Sequence, residues 1–218
     1  MKTKIFINKK IVISIISVFS FFILLQFYPI IEIATAASAT DNVIVTLDVT
    51  TGITISDGAD VTMAPNLGIT SDQSIGSSSW VVKTNAAAGY TLAVKASTTP
   101  ALKNGIIDSF ADYTEAVSGT PEVWSVAGGA KEFGYSAYGT DTPTGTWGTA
   151  ASCGAAGIPD VAQKYVGFTT SDKIIATKAT VTPNAGITTT ICFAAQQNAV
   201  YAASGTYTAT ITATALTL

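Results

Sequence analysis

"SSWVVKTNAAAGYTLAVKAS" occupies residues 78–97, and its spacing sets the fold class. In the second half Tyr90, Leu92, Val94 and Ala96 alternate with Thr91, Ala93 and Lys95. A period of two places the first set on one face of a strand and the second on the other. That is the pattern of a half-buried antiparallel strand. The first half, "SWVVKT", reads as a partner arm, with "NAAAG" between the arms as a hairpin loop. Trp80 and Tyr90 are expected in the core of that hairpin.

Strand signals continue on both sides. Upstream, "NVIVTLDVT" (42–50) puts Val43, Val45, Leu47 and Val49 on one face, followed by "GITISDG" (52–58) and a short "DVTMAPN" (60–66). The Gly/Ser run "SIGSSS" (74–79) reads as a turn. Downstream come "KYVGFTT" (164–170), "KIIATKATVTPN" (173–184), "TTTICFAAQQ" (188–197) and the final "SGTYTATITATALTL" (204–218). Between about residues 100 and 164 the period is lost. There "FADYTEAV" (110–117) reads as a short helix or irregular turn, and "EVWSVA" (122–127) and "KEFGYSAYG" (131–139) as strands. "GTDTPTGTWGTAASCGAAGIPD" (139–160) reads as loop. The expectation is an all-β protein: one antiparallel β-sandwich of immunoglobulin-like type over 40–218, with an irregular central insertion over about 100–164.

Residues 1–39 are set aside as a signal peptide. Lys2, Lys4, Lys9 and Lys10 precede an apolar run from Ile11 to about Ile33, and "ATAASAT" (34–40) offers A-x-A cleavage sites after Ala36 or Ala39. The competing reading is an uncleaved anchor, since residues 11–31 are long enough to span a bilayer as a helix. Membrane contact is expected only through this leader. Both readings place the rest of the chain outside the cytoplasm, at the cell surface or in the extracellular space. Beyond the leader, seven lysines face thirteen acidic residues, with no arginine or histidine, which excludes the dense basic footprint of a nucleic-acid binder.

Cys153 and Cys192 are the only cysteines, and in an exported chain they most simply form one disulfide. Within "TTTICFAA", Ile191 and Phe193 share a face and Cys192 takes the other. If the first pair is core, the disulfide lies on the outer face and clips the irregular middle segment to the sandwich.

Catalytic chemistry finds little support. Without histidine there is no Ser-His-Asp or Cys-His site and no histidine-containing metal centre. Asp57 and Asp60 in "SDGAD" lack the ligand spacing of a calcium loop and read as a turn. Asp108, Asp112, Glu115, Glu122 and Glu132 show no spacing that singles out a catalytic pair, and read as solvated loop charge. No enzyme activity, metal or cofactor is expected. Trp124, Phe133, Tyr135, Tyr138 and Trp147 cluster in the irregular segment. They either fill the core beneath it or present rings to a glycan or protein partner, with Trp124, Tyr135, Tyr138 and Trp147 the candidate contacts.

Residues 78–97 and "GTYTATITATAL" (205–216) together resemble the two ends of the WxL domain of Gram-positive surface proteins. Tyr90-Thr91-Leu92 stands where the first Trp-x-Leu would be, and Ala213-Thr214-Ala215 replaces the second. The resemblance covers about 35 residues of the mature chain. It implies a β-rich exported domain held non-covalently on peptidoglycan or another surface glycan. "AAGYTLAVKASTTPAL" (87–102) and "FADYTEA" (110–116) are also similar to uncharacterised exported proteins of small-genome bacteria, which implies no activity.

Two functions follow as expectations. One is an envelope-associated binding or adhesion module. The other is a structural subunit of a surface filament or coat, self-associating through strand edges by β-strand donation. "TYTATITATALTL" (206–218) is read as an interior strand paired on both sides, because so apolar an edge would aggregate. As an edge it would invite a strand from another chain, and "DNVIVTLDVTTGITI" (41–55) would serve as such a donor.

Overall fold

The computed structural model describes residues 39–218; the expected signal peptide, apart from Ala39, lies outside the described residues. The chain divides into two units, Met1–Leu47 and Asp48–Leu218, and the sheets belong to the second. They form an all-β sandwich. The strands are β1 (Ile53–Ile55), β2 (Gln73–Thr84), β3 (Tyr90–Ala96), β4 (Lys103–Asn104), β5 (Asp108–Ser109), β6 (Ala111–Asp112) and β7 (Lys131–Gly139). After a single helical turn, α1 (Thr144–Trp147), come β8 (Gly154–Ala155), β9 (Ile158–Pro159), β10 (Val166–Gly167), β11 (Lys173–Lys178), β12 (Ile187–Gln197) and β13 (Ile211–Thr217).

The larger sheet runs β1-β2-β12-β7-β10 and is antiparallel throughout that path; β6 adds a short parallel contact to β7. The smaller sheet is β11-β3-β13, also antiparallel. The alternation of β3 is as the sequence requires: Tyr90, Leu92, Val94 and Ala96 are all buried and face the larger sheet's inner residues Trp80, Val82, Ile191 and Phe193 in one core.

Residues 78–97 are nonetheless no hairpin. β2 pairs with β1 and β12, and β3 with β11 and β13, so "NAAAG" arches from one sheet to the other. Two inner faces opposed across a core have the same alternation as two strands side by side, which is why periodicity alone misplaced the pairing. Gly89 makes the arch possible at φ +86°, where an added Cβ would collide with the carbonyl of Lys178.

The "SIGSSS" turn is likewise a strand, the first half of β2. Two of its serines bond to other elements: Ser78 Oγ donates to the Ala59 carbonyl at 2.8 Å, and Ser79 Oγ pairs with Thr190 Oγ1 at 2.8 Å across to β12. Gly76 leaves room for Val61, whose Cγ1 lies 2.5 Å from where a Cβ would stand. "EVWSVA" forms no strand, only a bridge between Glu122 and Tyr165, and the 139–160 loop contains α1 and the β8–β9 hairpin.

The irregular region is also not one block. β7 lies inside it as a central strand between β12 and β10, with Glu132 through Ala137 buried in succession. A strand covered on both faces loses its polar-apolar alternation, so the sequence there reads as irregular. β12 shows the same pattern, buried from Thr189 to Gln197.

Two further expectations are corrected. Residues 42–50 form no strand: they take no regular secondary structure, and Val43, Val45, Leu47 and Val49 are each more than three-quarters exposed. Pairing needs a neighbour, and within the described residues none is offered. The terminal strand β13 is not interior, since β3 is the only strand paired with it among the described residues.

Candidate functional site

The larger sheet has a second layer on its outer face. Ile191 and Phe193 point into the inter-sheet core, and Cys192 between them points outward, fully buried, to bond with Cys153. The disulfide therefore ties the loop after α1 to the central strand β12, across 39 residues of sequence, as the alternation of "ICF" implies. Around it Tyr113, Val126, Tyr165 and Ala194 form a small core of their own, with Trp124 and Tyr138 partly buried against it.

Polar side chains lock this layer down. Ser136 Oγ, on the outer face of β7, donates to Gln163 Oε1 at 2.9 Å. The Gln163 amide in turn donates to the carbonyls of Ala150 and Ser152 at 3.2 Å each. Gln163 is completely buried, and its partners satisfy both ends of the amide, which removes most of the penalty of burying it. Tyr113 pivots the other side: its hydroxyl donates to Glu122 Oε1 or the Val123 carbonyl, both at 3.2 Å, and accepts from the Ser125 N–H at 3.1 Å. Burial pushes that hydroxyl up to about 12, so it stays a protonated donor at neutral pH.

The aromatic cluster expected from the sequence splits between the two layers. Tyr135 and Trp147 are buried to within 2% of full coverage in the inter-sheet core, with ring centroids 5.6 Å apart. Tyr135 also stacks on Phe168 at 4.2 Å, and Phe133 stacks on Phe168 at 5.3 Å. Rings so covered have no face left for a sugar, so Tyr135 and Trp147 are corrected from contacts to core. Trp124 and Tyr138 belong to the outer layer and are partly exposed. Trp124 stacks on Tyr113 at 4.5 Å and donates from Nε1 to Gln196 Oε1 at 2.8 Å, so both its face and its polar handle are occupied within the protein. The four rings do not converge on one surface.

The loop carboxylates are structural as well. Glu115 accepts from the N–H groups of Gly167 and Gly119 at 2.5 and 3.1 Å, and Asp112 accepts from the Ala101 N–H at 2.9 Å. Burial raises the affinity of Glu132, in β7, for a proton, and the nearby Thr114 works against that rise. Asp57 and Asp60 lie exposed, and among the described residues no three carboxylate or cysteine side chains converge as metal ligands would.

Asp108 is the most engaged carboxylate, and sequence reading gave no hint of its partners. Lys131 Nζ donates to both carboxylate oxygens, at 2.5 and 2.6 Å, Tyr207 Oη donates at 2.6 Å, and the Ala203 N–H at 2.8 Å. These join β5, β7 and the lead-in to β13. The Lys131 ammonium first, then the Tyr207 hydroxyl and the Ala203 N–H, hold the carboxyl well below the usual carboxylate range. A depressed folded-state pKa gives stability that is present above the unfolded value near pH 4 and lost as pH falls below it. Asp108→Asn is therefore expected to narrow its stability gap to wild type as pH drops from 6 to 3, in paired urea titrations at each pH.

What remains unpartnered is backbone and apolar surface. Among the described residues, no strand pairs with the outer edge of β13, "ITATALT", so its outward N–H and C=O groups are left without strand partners. Its core-facing Ile211, Ala213 and Ala215 are only partly buried. β1, on the larger sheet, packs beside it, and its Ile53 is also only partly covered. No family model, curated protein or solved structure matches this chain.

Proposed function

We propose that the protein is an exported, non-catalytic structural subunit of the cell surface, assembling with copies of itself into a filament or coat by β-strand donation. The observation that carries this reading is the segment 42–50. It presents Val43, Val45, Leu47 and Val49 to solvent at 77 to 87% exposure, in the alternation of a strand that joins no sheet among the described residues. Apolar surface of that kind on an exported protein marks a contact to be made. The basic and apolar leader supports export, and the Cys153–Cys192 bond supports an oxidising compartment.

A second reading, an envelope-binding module on peptidoglycan, draws on the WxL resemblance and on the partial exposure of Trp124 and Tyr138. Burial of Tyr135 and Trp147 removes half of its proposed contacts, and Trp124 has a ring face and its Nε1 engaged within the protein. Sedimentation separates the two. The exported protein, purified after expression of the full chain, is expected to pellet on its own as ordered assemblies visible by negative-stain microscopy. Pelleting only with purified sacculi would replace this reading with wall binding, and a protein that stays in solution in both tubes would remove both.

A further inference from the structure

Resting on the assembly reading, we infer the joint itself: residues 43–49 of one copy add as a fourth strand to the small sheet of the next, along the free edge of β13. Three features match. The donor run "VIVTLDV" and the acceptor strand β13 are both seven residues long, about 23 Å each when extended. The acceptor's core-facing side chains include the small Ala213 and Ala215, which are left partly uncovered, and the donor brings bulky Val45 and Leu47 in strand alternation. β13 carries no charge, and the donor's lone acid, Asp48, falls on the face opposite its valines, toward solvent.

The backbone supplies the rest. A free edge of seven residues satisfies its outward N–H and C=O groups when a strand lies down beside it, and the alternate side chains then enter the rim. The donor's exit is held by Asn85, whose side chain donates to the Thr50 carbonyl at 2.8 Å and accepts from the Gly52 N–H at 2.7 Å. That clamp fixes the chain just before β1. Donor and acceptor are different surfaces, so the contact is head-to-tail, and each subunit has one of each. Such a contact propagates as a filament or closes as a ring.

The test uses the full chain, exported and purified, in cysteine variants on the solvent faces of the two strands. Thr46→Cys in one preparation is mixed with Thr212→Cys, Thr214→Cys or Leu216→Cys in another, which covers slips of two residues in register. The native Cys153 and Cys192 are bonded and buried and do not interfere. On oxidation, one β13 position is expected to give disulfide-linked dimers at least tenfold above a control mixed with Ile106→Cys, at the exposed turn after β4. In parallel, Val45→Asp with Leu47→Asp is expected to lower the sedimenting fraction at least tenfold with the unfolding transition unmoved, because both side chains are exposed in the subunit. Wild-type assembly without any β13 cross-link, or undiminished in the Asp variant, would overturn the joint and leave assembly standing. A cross-link formed within one chain in the Thr46→Cys, Thr214→Cys double variant would overturn it in favour of self-insertion. Absence of both assembly and cross-link would overturn joint and assembly together.

Discussion

Replacing Cys153 and Cys192 together by alanine is expected to lower the unfolding free energy by about 4 kcal/mol, the chain-entropy value for closing a loop of 39 residues. For a domain of this size that is a fall of roughly 8–16 °C in the thermal midpoint. The loss is not spread evenly. The inter-sheet core, with Ile191 and Phe193, keeps all of its contacts, and the outer layer keeps the Ser136–Gln163 bond and the Tyr165 hydroxyl donating to the Cys153 carbonyl at 3.2 Å. It loses its only covalent tie. Amide exchange is therefore expected to accelerate first over residues 148–165, ahead of β2, β3 and β12. An unchanged midpoint would mean that the polar locks alone hold the layer.

Trp147→Ala is expected to cost about 4 kcal/mol, within the range for emptying a buried aromatic site. Trp147 is 1% exposed, packed against Tyr135, at the end of a single helical turn that has no side-chain cap of its own. The turn exists because the ring is anchored, so its loss both opens a cavity and frees α1. Gly148 follows at φ +93°, where a Cβ would meet the Ala162 carbonyl, so the local backbone cannot readily collapse inward to fill the space. Urea titration is expected to show a lower midpoint at an unchanged slope. A surface ring would cost within about 0.5 kcal/mol, and a value that small would return Trp147 to the solvent face and to ligand binding.

The contrast between β3 and β7 explains what was legible. β3 has one face in the core and one facing out, so its period of two shows in the residues and the strand was read correctly. β7 and β12 lie in a sheet covered on both sides. β12 still reads as a strand in "TTTICFAAQQ", and the alternation of Ile191, Cys192 and Phe193 places Cys192 on the outer face. β7 was recognised as a strand but assigned to an irregular insertion, because its surroundings are loops that only the folded chain brings onto the sheet. The Asp108–Lys131–Tyr207 cluster joins residues up to 99 positions apart, and nothing local marks them as partners. The aromatic cluster failed as a site for the same reason: neighbours in sequence from 124 to 147 were sorted into two different layers.

By itself, then, the sequence determined the strand periods, the pairing of the two available cysteines and the absence of histidine. These are local or compositional properties, set by side-chain spacing and residue type. Tertiary structure alone decided which strands are neighbours, which rings are covered, and which edges are left open. Periodicity says that a residue faces a core but not what lies across it. Residues 78–97 therefore read as a hairpin and are an arch, residues 42–50 read as a strand and have no strand partner among the described residues, and β13 reads as interior and is an edge there. The last two differ from expectation for one physical reason: a strand is completed by backbone partners, and among the described residues neither has its full set.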